Sequence, residues 1–219
     1  MQSRKAYDTL FYKVLLNEDI EVSAELEADI SYLKQVAEQG QKAPLRGGEH
    51  GVIWGGMFTA SALYAYAVLT GRIPLEPWTI AIAFLTPIPV GVLLTLNLAR
   101  NSGGLSFGNK TSAAAWNAVG IIIGFLYVSV ITAKALGLLE LSDIFTYGSL
   151  QATVFALYAV AYSTTAQVAG DRRLYLFAGT AVVASLGSLF AIGTYEIFLV
   201  MAAGIFCSVV IPGFITRTK

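Results

Sequence analysis

Few residues of this chain are of the types that carry out chemistry. It has one cysteine, Cys207, and one histidine, His50, so it cannot assemble a thiolate cluster or a multi-histidine metal site. The motifs H-E-x-x-H, G-x-S-x-G, C-x-x-C and the Walker loop do not occur. Because catalysis needs a positioned acid–base or nucleophilic set, we predict a protein that is not an enzyme and has no metal or cofactor.

Two prolines, Pro87 and Pro89, are the strongest local irregularity in the apolar part of the chain. Each lacks a backbone donor and is predicted to kink or open a helix. Interrupted helices often form the binding sites of transporters, so one hypothesis is a small transporter or channel that uses this break. No matching proline pair occurs in the fourth or fifth apolar stretch, and a simple kink is the plainer interpretation.

An apolar stripe in the N-terminal region could bind another protein. Leu26, Ile30 and Leu33 follow helical spacing, as does an earlier segment at 7–15. About forty residues rarely fold alone, so these faces must meet a partner protein, a second copy or the chain's own loops. The acidic residues around the stripe argue against a membrane-surface helix, whose polar face is usually basic.

The 219 residues as a whole have the composition of a membrane protein. Apolar residues make up 56% and charged residues 13%, against roughly 25% charged in soluble domains. Fourteen basic residues balance fourteen acidic ones, so the basic surplus of a nucleic-acid binder is absent. Fifteen of the charges lie in residues 1–50. This shift predicts a cytoplasmic helical tail at 1–48, a transmembrane domain at 49–214 and a short C-terminus at 215–219.

Six stretches are long and apolar enough to cross a bilayer, which needs roughly 20 residues. They are 51–70, 78–99, 113–133, 144–162, 174–192 and 197–214. Because backbone groups in hydrocarbon must bond within their own segment, we predict helices. The predicted fold class is all-α, an integral membrane bundle of six transmembrane helices with an N-terminal amphipathic helical cytoplasmic segment.

The distribution of basic residues predicts the orientation. With six spans, twelve of the fourteen Lys and Arg residues fall on the side that carries both termini. Only Arg72 and Lys134 fall on the other side. The positive-inside rule therefore places both termini in the cytoplasm. No hydrophobic signal region precedes the first span.

Two G-x-x-x-G pairs, Gly51 with Gly55 and Gly120 with Gly124, are expected to pack helices closely. Packing inside the bundle and a homodimer face are both open interpretations. Asn97 and Asn117 are expected at comparable depth near the cytoplasmic side, where they could bond to each other across the hairpin of spans two and three.

Several short motifs together resemble an uncharacterised group of alphaproteobacterial multi-pass inner-membrane proteins. They are Ile30-Ser31-Tyr32-Leu33, the segment 37–48, Trp54-Gly55-Gly56, Ala114-Ala115-Trp116-Asn117, Ala156-Leu157-Tyr158 and Val210-Ile211-Pro212-Gly213-Phe214. The resemblance covers most of the chain from about residue 28. It implies a location in the inner membrane of a bacterium but no activity, and no site residues follow from it.

The sequence therefore favours a non-enzymatic interaction or signalling component. Its tail would bind a partner or a second copy through Leu26, Ile30 and Leu33, and the lipid bilayer would surround the rest. The alternative is the transporter or channel that uses Pro87 and Pro89.

Overall fold

The computed structural model describes residues 26–27, 29–35, 48–100, 107–140 and 142–216. The chain divides into two units, Met1–Lys42 and Ala43–Lys219. The described residues of the first unit are helical. The amphipathic segment predicted at 7–15, the loop at 101–106 and the last three residues lie outside the described residues.

The second unit consists of helices, and its described residues include no strand. The helices are α1 Gly48–Leu69, α2 Thr79–Leu85, α3 Pro87–Arg100, α4 Phe107–Ala135, α5 Asp143–Ala169, α6 Leu174–Phe190, α7 Ile197–Ile205 and α8 Ile211–Ile215. A π-helical segment, Phe206–Val210, joins α7 to α8. The all-α prediction is therefore confirmed for this part of the chain.

Five helical stretches in the described ranges are long and apolar enough to cross a membrane. They are Gly48–Leu69, Thr79–Leu98, Asn109–Ala135, Asp143–Ala169 and Ile197–Ile215. The second combines α2 with most of α3, and the fifth combines α7, the π segment and α8. Helix α6 is apolar but shorter, with 17 residues. These helices imply a lipid environment.

Local chemistry sets the ends of α5, which runs to Ala169; the sequence predicts an end near Tyr162 or slightly beyond, ahead of Asp171. Ser142 caps its start by accepting a hydrogen bond from the Phe145 N–H. Near its end, Ser163 donates to the Ala159 carbonyl at 2.8 Å, so this polar side chain is satisfied inside the helix. Gly170, at φ 66°, then ends α5 in the left-handed region.

The helices pack in an order that differs from their order in the chain. Helix α1 packs against α7, the π segment and α8, and also against α2 and α3. Helix α6 packs between α5 and α7, and α4 packs along α5. Phe155, Ala184, Ile205 and Val209 form one buried apolar cluster, and Tyr162, Ala166, Leu174 and Ala178 form another. The least covered spans are those of α2–α3 and of α4, where Leu93 and Phe125 are about 70% exposed.

Candidate functional site

The stripe predicted in the tail lies on helical residues, and its three side chains are exposed. Leu26, Ile30 and Leu33 are 60%, 57% and 64% exposed. Their spacing of four and three residues places them on one face of the helix. Tyr32 is equally exposed but lies about a quarter turn or more away from this stripe. The tail therefore presents an apolar surface whose burial would favour association.

The proline pair coincides with an interruption of the second span. Helix α2 ends at Leu85 and α3 begins at Pro87. Pro87 is buried, whereas Pro89 is exposed. Because Pro87 has no N–H, the carbonyl of Ala83 loses its usual donor four residues along the helix. Ser61 of α1 supplies the replacement, since its hydroxyl donates to the Ala83 carbonyl oxygen at 2.6 Å.

Three further contacts attach the interrupted span to α1. The Tyr64 hydroxyl donates to Thr79 Oγ1 at 2.8 Å. The rings of Phe58 and Phe84 lie 6.4 Å apart between centroids. The Trp54 ring lies over Gly91, where an added Cβ would come within 2.7 Å of it. Helix α1 therefore holds this span on both sides of the break, and the Ala83 carbonyl is already hydrogen-bonded.

The two glycine pairs lie in different surroundings. A Cβ added at Gly51 would lie 3.0 Å from the Val209 carbonyl oxygen, and one at Gly55 would lie 2.8 Å from Val210 Cγ2. These glycines therefore face the π segment at close range. Around Gly120 and Gly124 there is open space within 4 Å of an added Cβ. Of the two pairs, only the first lies in a close helix contact in the part of the chain that the structure describes.

Side chains of α4 meet α5 along one seam. Ser112 Oγ lies 3.2 Å from Thr165 Oγ1, and the Trp116 ring packs edge-on against Tyr162 at 4.9 Å between centroids. At the far end the Lys134 ammonium pairs with the Asp143 carboxylate at 2.7 Å. The seam thus combines polar contacts at both ends with aromatic packing between them.

The expected bond between Asn97 and Asn117 is not present. Both side chains are exposed, and neither bonds to the other. The reason is that α3 packs on α1, whereas α4 packs on α5, so the two helices are not neighbours through most of their length. The bond that the two side chains could have formed across this hairpin is therefore absent.

A buried polar contact joins the three helices α5, α6 and α7. Gln151 Nε2 of α5 donates to Ser188 Oγ of α6 at 3.2 Å and to the Ile197 carbonyl of α7 at 3.3 Å. Ser185 donates to the Ala152 carbonyl at 2.7 Å. Uncharged polar residues such as Gln151, Ser185 and Ser188 are typical of hydrogen bonds between membrane helices. Only the packing shows which helices these three residues join.

Two acidic side chains near helix ends, Asp171 and Glu196, have hydrogen-bond partners close to them in the chain. The Asp171 carboxylate accepts from the Arg173 guanidinium at 2.8 Å, and these hydrogen bonds lower the pKa of Asp171. The pKa of Glu196 is lowered by bonds from its own backbone N–H and from the Thr194 hydroxyl. Within the described ranges, no three His, Cys, Asp or Glu side chains form a group that could hold a metal ion.

The fold and these surfaces define the class: an all-helical protein built from several membrane-length apolar helices. Comparisons of the chain with protein-family models, with curated proteins and with solved structures found no match.

Proposed function

We propose that this protein is a membrane-anchored, non-enzymatic interaction or signalling component whose tail binds a cytoplasmic partner or a second copy. The observation that carries the proposal is the exposure of Leu26, Ile30 and Leu33, each more than half accessible on one helix face. Burying three such side chains could contribute several kcal/mol, at roughly 1.5–3 kcal/mol for each full burial. Glu27, Asp29 and Lys34 flank the stripe and offer mixed charges to the rim of an interface.

We also propose that the protein crosses a bacterial inner membrane six times with both termini in the cytoplasm, as a member of the group it resembles. The twelve-to-two distribution of basic residues supports this orientation. Helix α6 would be the sixth span: its 17 residues rise about 26 Å, close to the hydrocarbon thickness of about 30 Å. Helix α6 packs between α5 and α7, which are both part of membrane-length stretches, and this position supports its crossing the membrane beside them.

The tail proposal is tested with a variant in which Leu26→Ser, Ile30→Glu and Leu33→Ser are combined. We expect the tagged full chain, purified in gentle detergent, to lose its stoichiometric partner or its second copy. Complex mass and bound proteins are read by mass spectrometry. Retention of the same complex by this variant would contradict the proposal.

The matched control for this experiment is Tyr32→Ser. Tyr32 is as exposed as Leu33 and lies on the same helix, but outside the stripe. We therefore expect the control to keep the complex. Equal loss with both variants would indicate general damage to the tail rather than loss of one binding face.

The second candidate is a small transporter or channel, favoured by the interruption of α2 and α3 inside one membrane-length stretch. Its test is flux in liposomes with the wild type and with Pro87→Ala combined with Pro89→Ala. Flux that depends on the prolines would support it, and flux equal to that of empty vesicles would count against it.

A further inference from the structure

We propose that the exposed side of α4 that carries Asn117, Gly120 and Gly124 is a contact surface for α4 of a second copy of this chain. This inference concerns the membrane domain and does not rest on the function proposed for the tail.

Asn117 carries the argument because its side chain is polar and lies inside an apolar span. Lys110 and Lys134 bracket the apolar part of α4, so its midpoint lies near Ile122. Asn117 is five residues from that midpoint, about 7.5 Å at 1.5 Å per residue. The hydrocarbon half-thickness is about 15 Å, so headgroup water does not reach this depth. Its amide has no hydrogen-bond partner among the described residues.

An unpaired amide in hydrocarbon is costly, and transmembrane helices satisfy such groups across helix interfaces. Asn97 differs, because it lies three residues from Arg100 at the edge of its span and can reach the headgroups. Asn117 therefore needs a partner in a way that Asn97 does not.

The side of α4 that carries Asn117 is exposed and has no close neighbour among the described helices of the second unit. Ser112 and Trp116 face α5, and Asn117 lies about 100° from Trp116 and about 140° from Ser112 around the helix axis. Gly120 and Gly124 lie on the same side as Asn117, and neither has an atom within 4 Å of an added Cβ. Another helix backbone can therefore approach closely beside the amide.

The chemistry favours a second copy over a different membrane protein. An asparagine amide both donates and accepts, so it is complementary to itself. All copies insert in one orientation, so a two-fold axis along the membrane normal places Asn117 of both at the same depth. The two glycines then lie at matching heights, where the two α4 helices can cross closely.

The experiment uses the full chain in liposomes at high lipid dilution, with copy number counted by single-molecule photobleaching. We expect wild-type dimers. Asn117→Leu should weaken dimerisation about tenfold, in line with the strength of polar contacts between membrane helices. Gly124→Ile should weaken it at least as much. A monomeric wild type, which would leave lipid or a different protein on this surface, or dimers unaffected by either variant, would overturn the proposal.

Two controls are matched to these variants. Asn97→Leu removes an exposed amide at the edge of a span, and Gly179→Ile adds the same bulk at another exposed glycine with open space around it. Both should keep dimerisation within about twofold of wild type, because they leave the surface on α4 unchanged.

A cross-linking measurement tests the same surface without these two substitutions, in case Asn117→Leu or Gly124→Ile fails to fold. In a Cys207→Ala background, Gly124→Cys should form an intermolecular disulfide in the membrane. Ala118→Cys, exposed on α4 but about a third of a turn away, should not. Equal cross-linking at both positions, or none at Gly124→Cys, would contradict the proposed surface.

Discussion

Among single residues, Ser61 compensates on α1 for the donor that Pro87 removes from α2–α3. We expect Ser61→Ala to destabilise the protein by about 1 kcal/mol, because the Ala83 carbonyl then loses its donor in an apolar region. In a Pro87→Ala background the backbone N–H can bond to Ala83 again, so the same substitution should cost much less. Unfolding free energies of the four proteins in this double-mutant cycle measure the difference.

The control for this cycle is Ser163→Ala. The Ser163 hydroxyl also donates to a carbonyl, but to that of Ala159 within its own helix. This carbonyl does not depend on the hydroxyl, so the cost should be smaller. Equal costs for Ser61→Ala with and without Pro87 would show that Ser61 does not replace the missing donor.

A pH effect is expected at the turn between α5 and α6. Hydrogen bonds from Arg173 lower the pKa of Asp171 below its ordinary value of 3.8. Stability from this pair is therefore present above pH 3.8 and is lost as the pH falls through the lowered folded-state pKa. Carboxyl NMR titration with Asp171→Asn as the assignment control measures it. Titration of Asp171 at or above 3.8 would contradict the expectation.

At this scale the sequence identifies residue types but not their partners. Pro87 marks the break because its missing N–H is a property of the residue itself. The role of Ser61 depends on which face of α1 meets Ala83. Whether Asn97 and Asn117 can bond to each other likewise depends on which helices pack together. The sequence predicts a comparable depth for these two residues, but Asn97 lies nearer the end of its span than Asn117 does, and their helices pack on different neighbours.

Among the elements, the contact of α1 with α8 depends on a glycine that the sequence analysis did not single out. A Cβ added at Gly213 would lie 2.6 Å from the Gly48 carbonyl oxygen and 2.8 Å from the Val52 backbone nitrogen. Because both are backbone atoms, the contact cannot relax by a change of rotamer. We expect Gly213→Ala to destabilise the protein by about 2–3 kcal/mol, measured as a loss of unfolding free energy.

Gly56→Ala is the control for this prediction. Gly56 lies in the interior of α1 with no atom within 4 Å of an added Cβ. Alanine should be neutral or stabilising there by up to about 1 kcal/mol, because it favours the helix. A similar loss for both variants would rule out a specific close contact at Gly213.

The sequence predicts which segments form membrane-length helices better than it predicts the local geometry within those helices. Apolar length alone identified the segments that became the five membrane-length helices. The π segment at Phe206–Val210 has no signal in the apolar pattern, and in the structure it packs closely against Gly51 and Gly55.

For the whole molecule, the number of spans determines on which side of the membrane each terminus lies. Five membrane-length helices alone would place the termini on opposite sides, and α6 as a sixth span would place them on the same side. The proposed function needs the tail in the cytoplasm, where Leu26, Ile30 and Leu33 could meet a soluble partner.

The most direct measurement is labelling of single cysteines from either side of the inner membrane of bacterial cells that express the protein, in a Cys207→Ala background. Cysteines are placed at Ser3 and at Thr218, with Leu138→Cys as the control on the predicted outer side. We predict that Ser3→Cys and Thr218→Cys react with an impermeant reagent only after the membrane is opened, whereas Leu138→Cys reacts before. Labelling of one terminus but not the other in intact spheroplasts would contradict the six-span account and the cytoplasmic tail.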